Sequence, residues 1–364
     1  MLIFAERKRV ACLFGEFSGA CGPALLLCED FINNYNFSFI VTMEIASEKP
    51  YVIGLDMGGT NSIFGIVDQR GTIKAQTAIK TAAYPRVEDY VAAAVEALQP
   101  ALDVVGGIGT VRGMGIGAPN ANYYTGNIEN AANLVWRGTV PIAALFEEAL
   151  GIPVRVTNDA NAAAMGEMTY GVARGMKNFI MITLGTGVGS GIVVDGKVVY
   201  GSDGFAGELG HVIVDRSPQA RACGCGRRGC LETYCSATGV ARTACEMLAA
   251  SAEPSLLRAI NPESITSFDV FQAAEAGDDL AIRIFEFTGH MLGAACANFA
   301  AFSSPEAFVF FGGLTKAGEY LMAPLRRAYE EEILFVYRGK ARLLVSSLNG
   351  SEAAVLGASA LGWE

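Results

Sequence analysis

One histidine and three cysteines lie close enough in the sequence to bind a single metal ion. His211 is followed, after eleven residues, by C-G-C-G-R-R-G-C, which supplies Cys223, Cys225 and Cys230. A Cys3His set suits a tetrahedral Zn²⁺, and the intervening glycines permit the tight turns that aim three thiolates at one point. Three buried or disulfide-linked cysteines are the alternative. Since the chain has only two histidines and one lies at ligand spacing, we predict a structural zinc site.

Two carboxylates, Glu208 and Glu232, flank these ligands without belonging to them. A zinc ion takes one ring nitrogen of His211 and leaves the second free to hydrogen-bond outside the coordination shell. We therefore predict that His211, Glu208 and Glu232 form one wall of a pocket for a polar ligand.

Two glycine-rich turns, each between apolar runs, predict phosphate binding. The first lies in L-D-M-G-G-T-N and the second in L-G-T-G-V-G-S-G. Such turns expose consecutive backbone N–H groups and let an anion approach closely. Neither is a Walker loop, and a Rossmann fingerprint would need a helix after the glycines, where the sequence predicts a strand. Because the pattern occurs twice, we predict two halves built on one plan that grip a polyphosphate.

The residues predicted to bind nucleotide phosphates lie in and beside these turns. They are Asp56, Gly58, Gly59, Thr60, Asn61, Thr186 and Gly187. Asp56 ends the first strand, where a short carboxylate can stabilise the turn. It can also hold Mg²⁺, directly or through water, against the phosphates. The sequence leaves both roles open.

Asn158 and Asp159 follow the short apolar strand V-R-V-T and begin an alanine-rich helix. The Asp159 carboxylate can cap the helix by accepting backbone N–H bonds. A carboxylate at a strand tip, beside an amide, can equally act as the general base for a hydroxyl. The local sequence favours neither role.

Asparagines are concentrated between residues 120 and 133. An amide side chain both donates and accepts, so a polyhydroxyl ligand can use it in either sense. Turn formation explains most of these asparagines. Asn120 and Asn133 are the two that we predict to contact such a ligand.

Composition limits the classes of function. The 364 residues suffice for about two domains, and 51% of them are apolar. A net charge of −10 argues against a broad nucleic-acid surface. No apolar run reaches the ~18 to 20 residues that cross a bilayer. Nine cysteines, three of them assigned to a metal, indicate the reducing cytoplasm. The expected partner is a small molecule.

Both strands and helices are predicted along the chain, in two glycine hairpins and in the helical runs that follow them, and we expect an α/β fold. Residues 1–48 differ from the rest: Glu16 and several glycines interrupt their apolar run, as no signal peptide would allow. We interpret Met43 as the working start and the preceding segment as a poorly ordered or artefactual extension. A buried strand near the end of the chain stops at Gly312 and Gly313, and an alanine-rich helix follows later.

Four ordered motifs resemble the ROK family of sugar kinases, repressors and related proteins in the actin-like ATPase superfamily. They are L-D-M-G-G-T-N, N-D-A-N-A-A-A-M-G-E, L-G-T-G-V-G-S-G-I-V-V-D-G with G-F-A-G-E-L-G-H, and C-G-C-G-R-R-G-C-L-E. The resemblance runs from Tyr51 to the C-terminus. It implies two actin-like (ribonuclease H-like) domains with a ligand cleft between them. Residues 49–158, closed by a C-terminal helix at 350–364, would form the first, and residues 159–349, with the zinc loop, the second.

The resemblance also implies roles for individual residues. Asp159 is similar to the family's catalytic base, which takes a proton from the sugar hydroxyl that attacks the γ-phosphate of ATP. The positions similar to sugar-binding residues are Asn158, Glu208, His211 and Glu232, and Gly312 and Gly313 resemble the adenosine site. Phosphoryl transfer further requires Mg²⁺ and phosphate clamps.

The expected activity is ATP-dependent phosphorylation of a hexose at the 6-hydroxyl, by a glucokinase in a homodimer or homotetramer. The run N-L-V-W at 133–136 is similar to N-L-x-W of family glucokinases. Residues 119–121 read Pro-Asn-Ala where many relatives have Gly-Pro, which leaves fructose, mannose and N-acetylhexosamines open. A sugar-responsive repressor is the alternative of another class, although the N-terminal segment lacks two successive amphipathic helices.

Overall fold

The computed structural model describes residues 49–131, 133–348 and 350–364. The predicted extension, residues 1–48, and the proposed start at Met43 lie outside the described residues. Among the helices that are described, none is both long and apolar enough to cross a bilayer.

Within this part of the chain, two five-stranded sheets share one strand order. The strands of the first sheet are β1 (Tyr51–Met57), β2 (Ser62–Asp68), β3 (Ile73–Ile79), β4 (Val111–Gly117) and β7 (Val154–Thr157). Its order is β3-β2-β1-β4-β7. The strands β5 (Ile128–Glu129) and β6 (Thr139–Val140) pair separately.

The strands of the second sheet are β8 (Phe179–Leu184), β9 (Val188–Val194), β10 (Lys197–Val198), β11 (Ala307–Phe311) and β12 (Arg342–Val345). Its order is β10-β9-β8-β11-β12. In both sheets the first three strands are antiparallel and the last two run parallel to the central strand. The predicted repetition of one plan is therefore confirmed.

Helices cover both sheets. In chain order they are α1 (Val87–Val104), α2 (Ile142–Leu150), α3 (Asp159–Tyr170), α4 (Glu232–Cys235), α5 (Ala237–Ala250), α6 (Ser267–Glu275), α7 (Asp279–Ser303), α8 (Glu319–Glu332) and α9 (Gly350–Leu361). Tyr90 and Leu98 of α1 join Phe146 of α2 in the core of the first sheet. Helices α5 to α8 contribute most of the second core.

Helix α3 is buried on almost every side because its residues are small. Ala160 to Glu167 are all buried, and α3 contacts β8, β9 and α9. The approach is close: a Cβ added to Gly191 of β9 would lie 2.7 Å from Ala164 Cβ, and one on Gly166 would lie 2.7 Å from Gly357 Cα of α9. The alanine-rich run thus positions the start of α3 between the sheets.

Replacing Gly115 by alanine should destabilise the protein by about 1–3 kcal/mol or more, as overpacking of a core does. Its added Cβ would lie 1.9 Å from the carbonyl oxygen of Ala358 and 2.7 Å from Leu361 Cβ, so β4 and α9 would have to separate. Urea unfolding would measure the loss. Gly109→Ala is the matched control, since no atom lies within 4 Å of a Cβ at that glycine. Equal midpoints for the two variants would contradict this account of the β4–α9 packing.

Candidate active site

The first glycine turn, residues 58–61, joins β1 to β2. The two strands pair without a break up to Met57 and Ser62, and the N–H of Gly58 donates to the carbonyl of Asn61 over 2.9 Å. Gly59 lies against the backbone of Asn133, because an added Cβ would be 2.1 Å from its carbonyl oxygen. Predicted residues from two distant segments thus meet at this turn.

The second glycine turn, residues 185–187, joins β8 to β9. The N–H of Gly185 donates to the carbonyl of Gly187 over 3.0 Å. Thr186 is exposed at its tip. The N–H groups of Thr186 and Gly187 donate to no acceptor in the described part of the chain, so they are available to an anion.

Asp159 is the first residue of α3, and Asn158 is its N-cap. The Asn158 side chain accepts the N–H of Ala160 over 2.8 Å, and Asp159 Oδ1 accepts the same group at 2.8 Å. Asp159 has a solvent-exposed surface, yet many protein atoms lie around its carboxylate and partly bury it. This burial raises the pKa of Asp159, and the Ala160 hydrogen bond opposes that shift.

Asp56 lies near Asp159, on the side of the first glycine turn. Burial, with a second contribution from the Asp159 charge, raises the pKa of Asp56 to about 6. Two carboxylates in one partly dehydrated place repel each other, and a divalent cation relieves that repulsion. The hard oxygen donor of Asp56 fits Mg²⁺, which prefers such ligands.

The predicted metal ligands are brought together. One ligand atom from each of His211, Cys223, Cys225 and Cys230 lies within 4.8 Å of the other three. The Cys225 and Cys230 sulfurs are 3.6 Å apart, and Cys223 Sγ lies 3.7 Å from His211 Nδ1. Tetrahedral bonds of about 2.3 Å place neighbouring sulfurs about 3.8 Å apart. These four residues therefore fit Zn²⁺.

Glu208 and Glu232 lie beside the metal ligands, as the sequence predicts. Burial raises the pKa of Glu208, the charges of Asp159 and Glu232 add to the increase, and His211 opposes it. Glu208 is therefore within electrostatic range of Asp159, Glu232 and His211. Oε1 of Glu232 lies 3.8 Å from Cys223 Sγ. One polar wall thus joins the metal cluster to the start of α3.

Arg221 anchors the metal loop, a role that was not predicted from the sequence. It is 4% exposed, its Nη1 donates to the Thr233 carbonyl over 2.7 Å, and it pairs with Glu246. The guanidinium lies 4.4 Å from the Tyr234 ring centroid. The one feature of the sequence that marks Arg221 is its charge within the run of small residues A-R-A-C.

The loop after β4 contacts the loop that carries Glu208. Asn122 is buried and its Nδ2 donates to the Asp203 carbonyl over 2.7 Å. Tyr123 stacks on Tyr200 with ring centroids 4.1 Å apart and an interplanar angle of 8°. Asn120 adopts a left-handed conformation, with φ of 52°, and its Nδ2 donates to the Glu129 carbonyl over 3.1 Å. The turn-forming role of Asn120 is thus visible, while its contact with a ligand stays a prediction.

Gly312 and Gly313 follow β11, as predicted. Gly312 has φ of 112°, and an added Cβ would lie 2.5 Å from the Leu184 carbonyl oxygen, next to the second glycine turn. The short helix Gly313–Ala317 follows. A cavity of about 490 Å³ opens there, lined by Phe271, Glu275, Lys316, Ala317, Gly318, Glu319 and Tyr320. Its volume lies within the range of ~300 to 1,000 Å³ that is usual for small-molecule pockets.

The chain is similar to known proteins over most of its length. It matches the model of a family described as the ROK family over residues 52–364. A glucokinase of Halalkalibacterium halodurans is 42% identical over 254 residues, which are 69% of this chain and 75% of that protein. A glucokinase of Streptomyces coelicolor is 34% identical over 319 residues, which are 86% of this chain and 97% of that protein.

A solved structure gives the same picture. A ROK family glucokinase from Streptomyces griseus, in complex with glucose and AMPPNP, has a TM-score of 0.69 and 34% identity, and the similarity covers 85% of this chain and 98% of that one.

Proposed function

Because this chain belongs to the ROK family, we propose that it is an ATP-dependent hexose kinase that phosphorylates the 6-hydroxyl of glucose. The fold is the two-domain actin-like fold of that family. The observation that carries the proposal is the placement of Asp159. It is close enough to Asp56 and to Glu208, which lies beside the metal cluster, for its charge to act on both carboxyl groups.

We assign residues 49–158 and the C-terminal helix to one domain and residues 159–349 to the other. Helix α9 packs on β1, β4 and β2 of the first sheet, which supports its assignment to the first domain. The contacts of α3 with β8 and β9 support a boundary before Asp159. Helix α3 also packs on α9, so the two proposed domains meet at this boundary.

Asp159 acts as the general base. Its carboxylate accepts the proton of the 6-hydroxyl, the hydroxyl oxygen forms a bond to the γ-phosphorus, and the bond from that phosphorus to the bridging oxygen breaks, releasing ADP. A raised pKa brings the base closer to the operating pH, which favours proton transfer. Mg²⁺ bound with ATP supplies positive charge that neutralises the phosphates, and Asp56 would hold it directly or through water.

The sugar lies against the polar wall. Glu208 and Glu232 accept from its hydroxyls, and His211 contributes its second ring nitrogen, since Nδ1 faces the cysteines. Bound zinc would keep that ring fixed in one orientation. Asn158, with Asn120 and Asn133 from the loop after β4, completes the set of sugar contacts.

ATP lies between the two glycine turns and the cavity beyond β11. Thr60, Asn61 and the first-turn glycines Gly58 and Gly59 bind phosphate from one side, and Thr186 and Gly187 bind it from the other. The adenosine passes Gly312 and Gly313 into the 490 Å³ cavity. The three thiolates that hold zinc must stay reduced, so we propose that the enzyme works in the cytoplasm.

A panel of hexoses with ATP, followed by ADP release, tests this function. Glucose should give the highest kcat/KM, ahead of fructose, mannose and N-acetylhexosamines. 6-Deoxyglucose, which lacks the acceptor hydroxyl, should compete with glucose without releasing ADP. Sugar binding without turnover of any hexose would reject the kinase in favour of a sugar-responsive regulator.

A further inference from the structure

The second glycine turn is held from behind by one short segment, residues 232–238. The N–H of Val188 donates to Glu232 Oε2 over 3.0 Å. The N–H of Ala237 donates to the Gly185 carbonyl over 2.8 Å. The hydroxyl of Thr238 donates to the Thr186 carbonyl over 2.8 Å. Glycine and an exposed threonine give this turn no apolar side chain to bury, so these bonds fix its shape.

Two of these bonds control the direction of the N–H groups that face a phosphate. A peptide unit is planar, and its C=O and N–H point in opposite directions. The Thr186 carbonyl shares a peptide unit with the N–H of Gly187, so the Thr238 hydroxyl fixes that N–H. The Gly185 carbonyl likewise shares a unit with the N–H of Thr186, which the Ala237 bond fixes.

The hydroxyl of Ser236 favours the hydrogen bond from Thr238 to the Thr186 carbonyl. Ser236 Oγ lies 2.9 Å from Thr238 Oγ1 and accepts the N–H of Gly239 over 3.0 Å. A threonine hydroxyl has one proton to donate. Since Thr238 gives its proton to Thr186, Ser236 donates to Thr238 and holds the hydroxyl in place.

We propose that Thr238 is a positioning residue of the ATP site, which aims the Gly187 N–H at the ATP phosphates by holding the Thr186 carbonyl. This inference rests on the proposed kinase function. Thr238 itself need not touch the nucleotide. Glu232 begins the same segment. Thr238, which holds the second glycine turn, and Glu232, a proposed sugar ligand, therefore lie six residues apart in one short segment.

Thr238→Val removes the hydroxyl and keeps the shape of the side chain. The variant should bind AMPPNP about three- to tenfold more weakly, as the loss of one hydrogen bond predicts, and its KM for ATP should rise by a similar factor. Its affinity for glucose should be unchanged. Thr238→Ser should restore nucleotide binding, because it keeps the hydroxyl. Isothermal titration measures the affinities of both variants for AMPPNP and for glucose, and steady-state kinetics measure their KM for ATP.

Thr110→Val is the matched control. The Thr110 hydroxyl also donates to a glycine carbonyl, that of Gly107, over 2.9 Å, but it precedes β4 and lies outside the proposed site. This variant should bind AMPPNP like wild type. If Thr238→Val bound AMPPNP as tightly as wild type, the positioning role of Thr238 would be overturned and the kinase function would stand. The same would follow if Thr238→Val lost affinity for glucose and for AMPPNP by equal factors. Failure of wild type to bind AMPPNP would overturn the kinase function as well.

Discussion

The Asp159→Asn protein is expected to bind glucose nearly as well as wild type while its kcat falls by a factor of about 10² to 10⁴. An amide cannot accept the proton of the 6-hydroxyl, but it has the shape of the carboxylate and its oxygen can still accept the Ala160 N–H. The cap of α3 also survives, because Asn158 supplies it. Titration of glucose and release of ADP measure the two quantities separately.

Asp279→Asn is the matched control for this substitution. Asp279 is also the first residue of a helix, α7, directly after an N-cap that accepts a backbone N–H, and it is exposed. Its replacement should leave kcat unchanged. If Asp159→Asn kept most of the activity, the base would have to be another group, and the placement of Asp159 would no longer support the mechanism.

The sequence left two roles open for Asp159, and the structure separates them in part. Asn158 occupies the N-cap position, so the helix does not depend on Asp159 for its cap. Burial among α3 and its neighbours is what raises the pKa of Asp159. A local sequence shows neither effect, because burial comes from segments that are distant in the chain.

Features set by short-range spacing were predictable. The two glycine hairpins follow from alternating apolar residues around a turn, and the metal cluster follows from a histidine and three cysteines within twenty residues of chain. In each case neighbouring residues already limit the geometry. The hairpin pairing of β1 with β2 and of β8 with β9 and the assembled metal ligands belong to this class, whereas the two-domain actin-like fold was implied by the resemblance to the ROK family.

Contacts between distant loops were not predictable. Asn122 and Asp203 are 81 positions apart, and Tyr124 donates to the Gly201 carbonyl from 77 positions away. An asparagine or a tyrosine in a loop has many possible partners, and only the packing of the two sheets selects one. The hydrogen bond from Thr238 to the Thr186 carbonyl was equally unpredictable, since a threonine near the start of a helix usually indicates a cap.

Removal of the metal should weaken both the fold and sugar binding. Cys225→Ser replaces one thiolate of the four-residue set by a poor zinc ligand, so bound zinc should fall well below one ion per chain. The melting temperature should also drop, because metal binding contributes to folding. The loop would then release His211, and glucose affinity should fall about tenfold, the effect of losing one well-oriented hydrogen bond to a charged or polar partner. Zinc content, thermal melting and glucose titration measure the three effects.

Cys245→Ser is the matched control, because it removes a thiol without removing a metal ligand. Cys245 is partly buried and lies outside the metal cluster, where its sulfur contacts the Pro262 carbonyl at 3.1 Å. This variant should keep its zinc and its affinity for glucose. A metal-free protein that melted and bound glucose like the zinc-loaded one would show that Arg221 and its partners hold the loop by themselves. Since Arg221 already pairs with Glu246 and the Thr233 carbonyl, we expect these contacts to persist without zinc while His211 is released. Sugar affinity should therefore be more sensitive to zinc removal than the melting temperature.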